Sequence, residues 1–196
     1  MLINECGWNM GRLVPHVNYV EAELGRYTPE IVEWVLKNMV RVDPGVENNH
    51  AIRWASQFGD TEMVRVLLAD PRVDPSAGNS YAILLASQFG HTEVVKMLLA
   101  DSRVDPSASD NYAIRMASRY GCTEVVKILL ADSRVDPGAD NNYAIQWASQ
   151  YGYVELVRVL LADSRVDPSA GYNCAIRMAS ENGFTDVVEL LRHAMR

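Results

Sequence analysis

Residues 112–142 read YAIRMASRYGCTEVVKILLADSRVDPGADNN, and this pattern returns every 31 residues, in copies that begin at His50, Tyr81, Tyr112, Tyr143 and Cys174. Positions 81–111 and 112–142 share 22 of 31 residues. The columns Ala51/82/113/144/175, Gly59/90/121/152/183 and Pro75/106/137/168 keep register throughout. A fixed period of this length marks a stacked array, in which each unit buries its apolar side only against its neighbours.

Within the copy at 112–142, the apolar run Ala113, Ile114, Met116, Ala117 predicts a short first helix that Gly121 closes. Asn49, Ser80, Asn111, Asn142 and Asn173 recur just before these helices, and their side-chain oxygens suit the role of N-cap. Thr123 is expected to cap a second helix, whose Val125, Val126, Ile128, Leu129 and Leu130 recur at helical spacing and which ends near Ala131. The remainder, rich in Asp, Ser, Pro, Gly and Asn, reads as a connector with Val135 as its one buried anchor. The small residues Ala113, Ala117 and Ser118 let neighbouring helices approach closely.

The order YAIRMASRYGCTEVVKILL resembles the ankyrin repeat, whose pattern is T-P-L-H-x-A followed by A-x-x-G-H-x-E-V-V-x-L-L-L. Gly121, Glu124, Val125, Val126, Leu129 and Leu130 fall on family positions, and the likeness runs over residues 50–196. Tyr-Ala-Ile-Arg replaces Thr-Pro-Leu-His, and the period is 31 where the family's is about 33. The resemblance implies an all-α fold, an ankyrin-type α-solenoid of stacked helix-turn-helix repeats with short finger loops. It also implies a non-catalytic scaffold that binds a partner protein through its concave face.

Composition narrows the function classes. The chain has 196 residues, 48% apolar, with a formal net charge of −7. An acidic balance argues against nucleic acid and anionic membrane surfaces, both of which need concentrated Lys and Arg. Cys6, Cys122 and Cys174 occupy unrelated repeat positions, so neither a disulfide framework nor a zinc spacing is predicted, and a reducing, cytoplasmic setting is expected, the nucleus remaining open. No signal-peptide pattern opens the chain, and no apolar run is long enough to span a membrane.

Along the chain, residues 1–15 read as an irregular lead and 16–47 as a degenerate N-terminal capping repeat. In the latter, 18–24 is readable as a short helix and Thr28-Pro29-Glu30 as a strong helix start. Four repeats follow over 48–173. Residues 174–196 form a C-terminal capping repeat, where Arg192 replaces the second Leu of the Leu-Leu pair and Glu189 the basic position, so the array is expected to end there naturally.

Asp60, His91, Cys122, Tyr153 and Phe184 share one column, which contains nucleophile and base types. They sit on successive units about 8–10 Å apart, so no catalytic contact is expected, and the column reads as a tolerant turn. Asp70/101/132/163 and Asp74/105/136/167 flank Arg72/103/134/165. This ladder predicts inter-repeat ion pairs and Asx turns rather than a calcium site, which the interleaved Arg opposes. Glu62/Arg65, Glu93/Lys96, Glu124/Lys127 and Glu155/Arg158 read as a solvated back face. No metal, cofactor or catalytic residue is predicted.

The candidate partner-binding residues lie at two places. At the ends of the first helices stand Gln57, Phe58, Gln88, Phe89, Arg119, Tyr120, Gln150 and Tyr151, where the family's groove residues lie. Phe58, Phe89, Tyr120 and Tyr151 form an aromatic stripe, which is either contact surface or inter-repeat stacking. At the finger tips stand Asn79, Asp110, Asp140, Asn141 and Tyr172. Arg53, Arg115 and Arg177, with Leu84 and Gln146, take the family's His position, which braces neighbouring loops. The expected protein is a monomer. The alternatives are a self-associating structural protein, stacking through an exposed terminal face, and a targeting or adaptor module for a partner's enzymatic activity.

Overall fold

The computed structural model describes residues 28–38 and 43–196, which contain helices and no strand. The expected helix over 18–24 lies outside them. Helix α1 (Pro29–Asn38) begins at the predicted proline. The Glu30 carboxyl is held below its usual range by its own backbone amide and then by the Thr28 hydroxyl, as at a well-formed helix start.

Ten further helices form five pairs: α2 (Val46–Phe58) with α3 (Thr61–Leu68), α4 (Ala77–Gln88) with α5 (Thr92–Ala100), and α6 (Ala108–Arg119) with α7 (Thr123–Leu130). They continue as α8 (Ala139–Gln150) with α9 (Val154–Leu161), and α10 (Ala170–Glu181) with α11 (Thr185–Ala194). The first helices stack on one another in chain order, the second helices form a parallel row, and α1 joins that row against α3. The core is continuous between the rows. Its first-helix layer is Ile52, Ile83, Ile114 and Ile145, and its second-helix layer is Leu67, Leu98, Leu129 and Leu160. Ala117 and Ser118, like Ala55/Ser56, Ala86/Ser87 and Ala148/Ser149, are fully buried, which permits the close helix approach predicted from their size.

Several expectations change. First, the residues read as N-caps adopt a different role. Each first helix opens with three consecutive left-handed residues: 47–49, 78–80, 109–111, 140–142 and 171–173. In α6 these have φ 54, 60 and 57, and the Asn111 amide closes the turn on the Ser107 carbonyl at 2.8 Å. A left-handed turn costs an L-residue about 1–2 kcal/mol, which explains the run of Gly, Asn, Asp and Ser. The third residue's side chain then turns to the following unit: Asn49, Asn111 and Asn142 Oδ1 and Ser80 Oγ accept the amides of Asp74, Asp136, Asp167 and Asp105 at 2.7–3.0 Å. These side chains are staples between units, not caps of their own helices.

Second, Thr123 is the first residue of α7, not its cap. Cys122 takes the N-cap position and makes no side-chain cap bond, whereas in α3 Asp60 accepts from the Met63 amide at 3.0 Å. Third, Val135 is not the connector's one anchor, because Pro137 and Ala139 are buried beside it.

The Asp–Arg ladder is also rearranged. Each Arg is clamped by the Asp two residues before it, within its own unit, and reaches the preceding unit through backbone carbonyls. Arg134 binds Asp132 through Nε at 3.0 Å and Nη2 at 2.6 Å, and Nη1 donates to the Val104 carbonyl at 2.9 Å. Arg103 and Arg165 repeat this on the carbonyls of Val73 and Val135. The second Asp of each connector makes the predicted Asx turn, as in Asp105 Oδ1 accepting from the Ser107 amide at 2.9 Å.

Candidate binding face

Each first helix ends at a glycine with positive φ, 70–77° across Gly59, Gly90, Gly121 and Gly152. The glycine is required twice over. Its φ suits the helix stop, and the side chain of the next unit occupies the space that a Cβ would need. A Cβ on Gly121 would lie 2.9 Å from the Tyr153 ring, and one on Gly152 would lie 2.5 Å from Phe184. The column Asp60, His91, Cys122, Tyr153, Phe184 is therefore a packing column rather than a free turn. His91 Nε2 lies 2.8 Å from the Gln57 carbonyl and Cys122 Sγ 3.6 Å from that of Gln88, both in the preceding unit. Burial pushes the Cys122 thiol above its usual range, away from a reactive thiolate.

The residue before each glycine is turned to solvent. Phe58 is 59% exposed, Phe89 48%, Tyr120 51% and Tyr151 41%. Among the described residues no ring pairing joins these four to one another. Phe58 packs on Trp54, Phe89 on His91, and Tyr151 on Trp147 and Tyr153. Gln57, Gln88, Arg119 and Gln150, one position earlier, are half-buried beside them.

At the finger tips Asn79, Asp110, Asp140 and Asn141 are exposed, and Tyr172 is 93% exposed with φ 58. Three of the five residues at the family's His position brace these turns. Arg53 donates to the Glu47 carbonyl at 2.9 Å, Arg115 to that of Asp110 at 3.1 Å, and Gln146 to that of Asn141 at 2.6 Å. Arg115 also pairs with the carboxylates of Asp140 and Asp110, which ties two fingers together.

Arg115 links the fingers to the stripe through side chains outside the candidate set. Its guanidinium lies 5.2 Å from the Tyr112 ring centroid and 5.6 Å from that of Tyr143. Tyr143 meets Trp147 at 6.0 Å, and Trp147 stacks on Tyr151 at 6.0 Å with 8° between planes. Arg119 covers the other approach, 4.6 Å from the Trp147 centroid and 5.8 Å from that of Tyr120. The spacing Tyr143, Trp147, Tyr151 places two rings on one face of α8 and the third in line with them at its C-cap, a signal that was present in the sequence. Cation–aromatic pairs of this kind contribute about 0.5–2 kcal/mol each.

On the opposite row, Glu62–Arg65, Glu93–Lys96 and Glu124–Lys127 form the expected exposed pairs. No cluster of His, Cys, Asp and Glu suited to a metal ion occurs among the described residues, and none of their helices is long and apolar enough to cross a membrane.

Paired helices stacked in two rows, with a glycine-stopped first helix and a finger ahead of it, define a helical-repeat solenoid. The family model for ankyrin repeats (3 copies) matches residues 20–110 and 113–195. The chain belongs to the ankyrin-repeat family, whose repeats generally mediate protein–protein interaction. No curated protein sequence matches the chain significantly.

Proposed function

We propose that this chain is a non-catalytic, cofactor-free scaffold that binds a partner protein through the concave face formed by its first-helix ends and finger loops. The observation that carries this is the row Phe58, Phe89, Tyr120 and Tyr151, each about half exposed and not stacked on the next. Aromatic side chains left in water along one line suit interface anchors. Gln57, Gln88, Arg119, Gln150 and the tips Asn79, Asp110, Asp140, Asn141 and Tyr172 form the polar surround. The acidic composition supports a protein rather than nucleic-acid partner, and the scattered cysteines support a cytoplasmic setting.

The test compares two kinds of substitution on a partner recovered by affinity capture from native cell extract. Leu129→Ala removes fully buried atoms and is expected to cost about 2–5 kcal/mol of stability. Phe89→Ala with Tyr120→Ala is expected to lower the melting temperature far less than Leu129→Ala does, since both rings are about half exposed. Affinity should fall roughly thirtyfold, the loss of one hot-spot aromatic. Unchanged affinity with a destabilised fold would make the stripe a packing feature.

One observation favours a second reading, self-association through the last unit. Gly183 has no atom within 4 Å of where its Cβ would sit, and Asn173, unlike its buried equivalents, is exposed. Light scattering over a concentration series separates this from the monomer that the first reading expects.

A further inference from the structure

Arg119 differs from every equivalent residue in the array. Its column reads Gln57, Gln88, Arg119, Gln150, Glu181, so the stripe carries one cation, flanked by neutral amides. Among the described residues no carboxylate pairs with Arg119, whereas Arg115, one helical turn earlier, is taken up by Asp110 and Asp140. Arg119 instead lies against Trp147 of the following unit and its own neighbour Tyr120. A guanidinium packed on rings keeps its in-plane N–H fork available and is partly stripped of water, the state in which an arginine binds a carboxylate best.

We infer that Arg119 and the surrounding rings form a reader for an acidic–aromatic segment of a partner protein: a carboxylate of the segment takes the Arg119 fork, and an adjacent aromatic side chain lies on Tyr120 or Tyr151. The inference rests on the proposed role of this face in binding. The chemistry of the site favours this occupant over others. Tyr120, which Arg119 covers, and Tyr151, stacked on the same Trp147, are 51% and 41% exposed, so a ring and an acid presented together satisfy both features at once. A basic segment would leave Arg119 facing a like charge, and a purely apolar one would bury it unpaired at a cost. The chain's net charge of −7 opposes an acidic partner only at a distance. Screening over about 8 Å at physiological salt leaves the local pair to decide.

The experiment pans random phage-displayed peptides against the full chain and measures synthetic versions of the enriched sequences on variants. Enriched peptides are expected to carry Asp or Glu beside Trp, Tyr or Phe. Arg119→Gln, which restores the residue found in the sister units, is expected to weaken them about tenfold or more at a temperature where the variant is fully folded, with a melting temperature lowered only by the loss of its contacts to Trp147 and Tyr120. Arg119→Lys, which keeps the charge but loses the fork and the stack, is expected to fall between. Basic or uncharged consensus sequences, or peptides indifferent to Arg119→Gln but weakened by Tyr120→Ala, would overturn the acid reader while leaving the binding face standing. A selection with no peptide sensitive to any stripe residue would overturn both.

Discussion

The Asp136 amide donates to Asn111 Oδ1 across 2.7 Å, though 25 residues separate them in the chain. Asn111 sits at the end of a left-handed turn and Asp136 at the start of the next connector, so one hydrogen bond couples the backbone conformation of one finger to the seating of the unit after it. The same bond recurs at Asn49–Asp74, Ser80–Asp105 and Asn142–Asp167. Three of the four donors are the amides of residues that themselves make Asx turns onto a serine two positions on, so a break here is felt in the connector as well.

Asn111→Gly keeps the left-handed turn and removes only the acceptor, so it is expected to cost about 1–2 kcal/mol through the orphaned Asp136 amide. Asn111→Ala removes the acceptor and adds backbone strain, for roughly 1 kcal/mol more. Asn173→Gly, at an exposed position with no such bond, is expected to be near neutral. Urea titrations of the three variants check the order, and an Asn173→Gly loss equal to that of Asn111→Gly would show that the staple contributes nothing.

Stability should depend on pH through Asp70, Asp101, Asp132 and Asp163. Each carboxyl is held below its usual range, chiefly by the hydrogen bond from the arginine two residues on. A folded-state pKa below the unfolded one contributes stability that is present in full above the unfolded value, about 3.9, and is lost as pH falls through the lowered folded value. The melting temperature is therefore expected to be insensitive to these groups near neutrality and to fall below about pH 4. Arg134→Gln returns Asp132 toward ordinary behaviour and removes the bond to the Val104 carbonyl. It should lower stability at pH 7 by about 1 kcal/mol, since the arginine is partly screened by solvent, and make the acid limb shallower. An acid limb unchanged in this variant would contradict the assignment.

The glycine column separates backbone strain from packing. Gly121 and Gly183 have φ 71 and 76, but a Cβ at Gly121 meets the Tyr153 ring at 2.9 Å while one at Gly183 meets nothing within 4 Å. Gly183→Ala should cost about 1 kcal/mol, the strain alone, and Gly121→Ala about 1–3 kcal/mol more from overpacking. Equal losses in thermal melts would mean that Tyr153 does not lie on Gly121.

Tyr172 combines a positive φ with 93% exposure, so it pays backbone strain for no packing in return. Its sister positions hold Asn48, Asn79, Asp110 and Asn141, all tolerant of the left-handed region. Tyr172→Asn is expected to raise stability by about 0.5–1 kcal/mol. If the tyrosine is a contact residue, partner affinity should drop in the same variant, a trade that calorimetry and binding measured side by side would expose.

Much of this architecture is written locally in the chain. The period orders the helix pairs, and Ile114, Leu129 and Gly121 announce core and helix stop through spacing and residue type alone, because these depend on contacts that recur identically in every unit. The stripe Phe58, Phe89, Tyr120, Tyr151 was legible for the same reason. The role of Asn111 was not, since an asparagine before a helix serves equally as a cap or as a left-handed residue, and the choice is made by an amide supplied by the next unit. The fate of Arg115 and Arg119 was likewise undetermined until the stacking of α6 on α8 brought Tyr143 and Trp147 beneath them. Local propensity sets what each residue can do. Which of two compatible hydrogen bonds or ring contacts forms is decided by the neighbour that stacking delivers, and only the tertiary structure contains that neighbour.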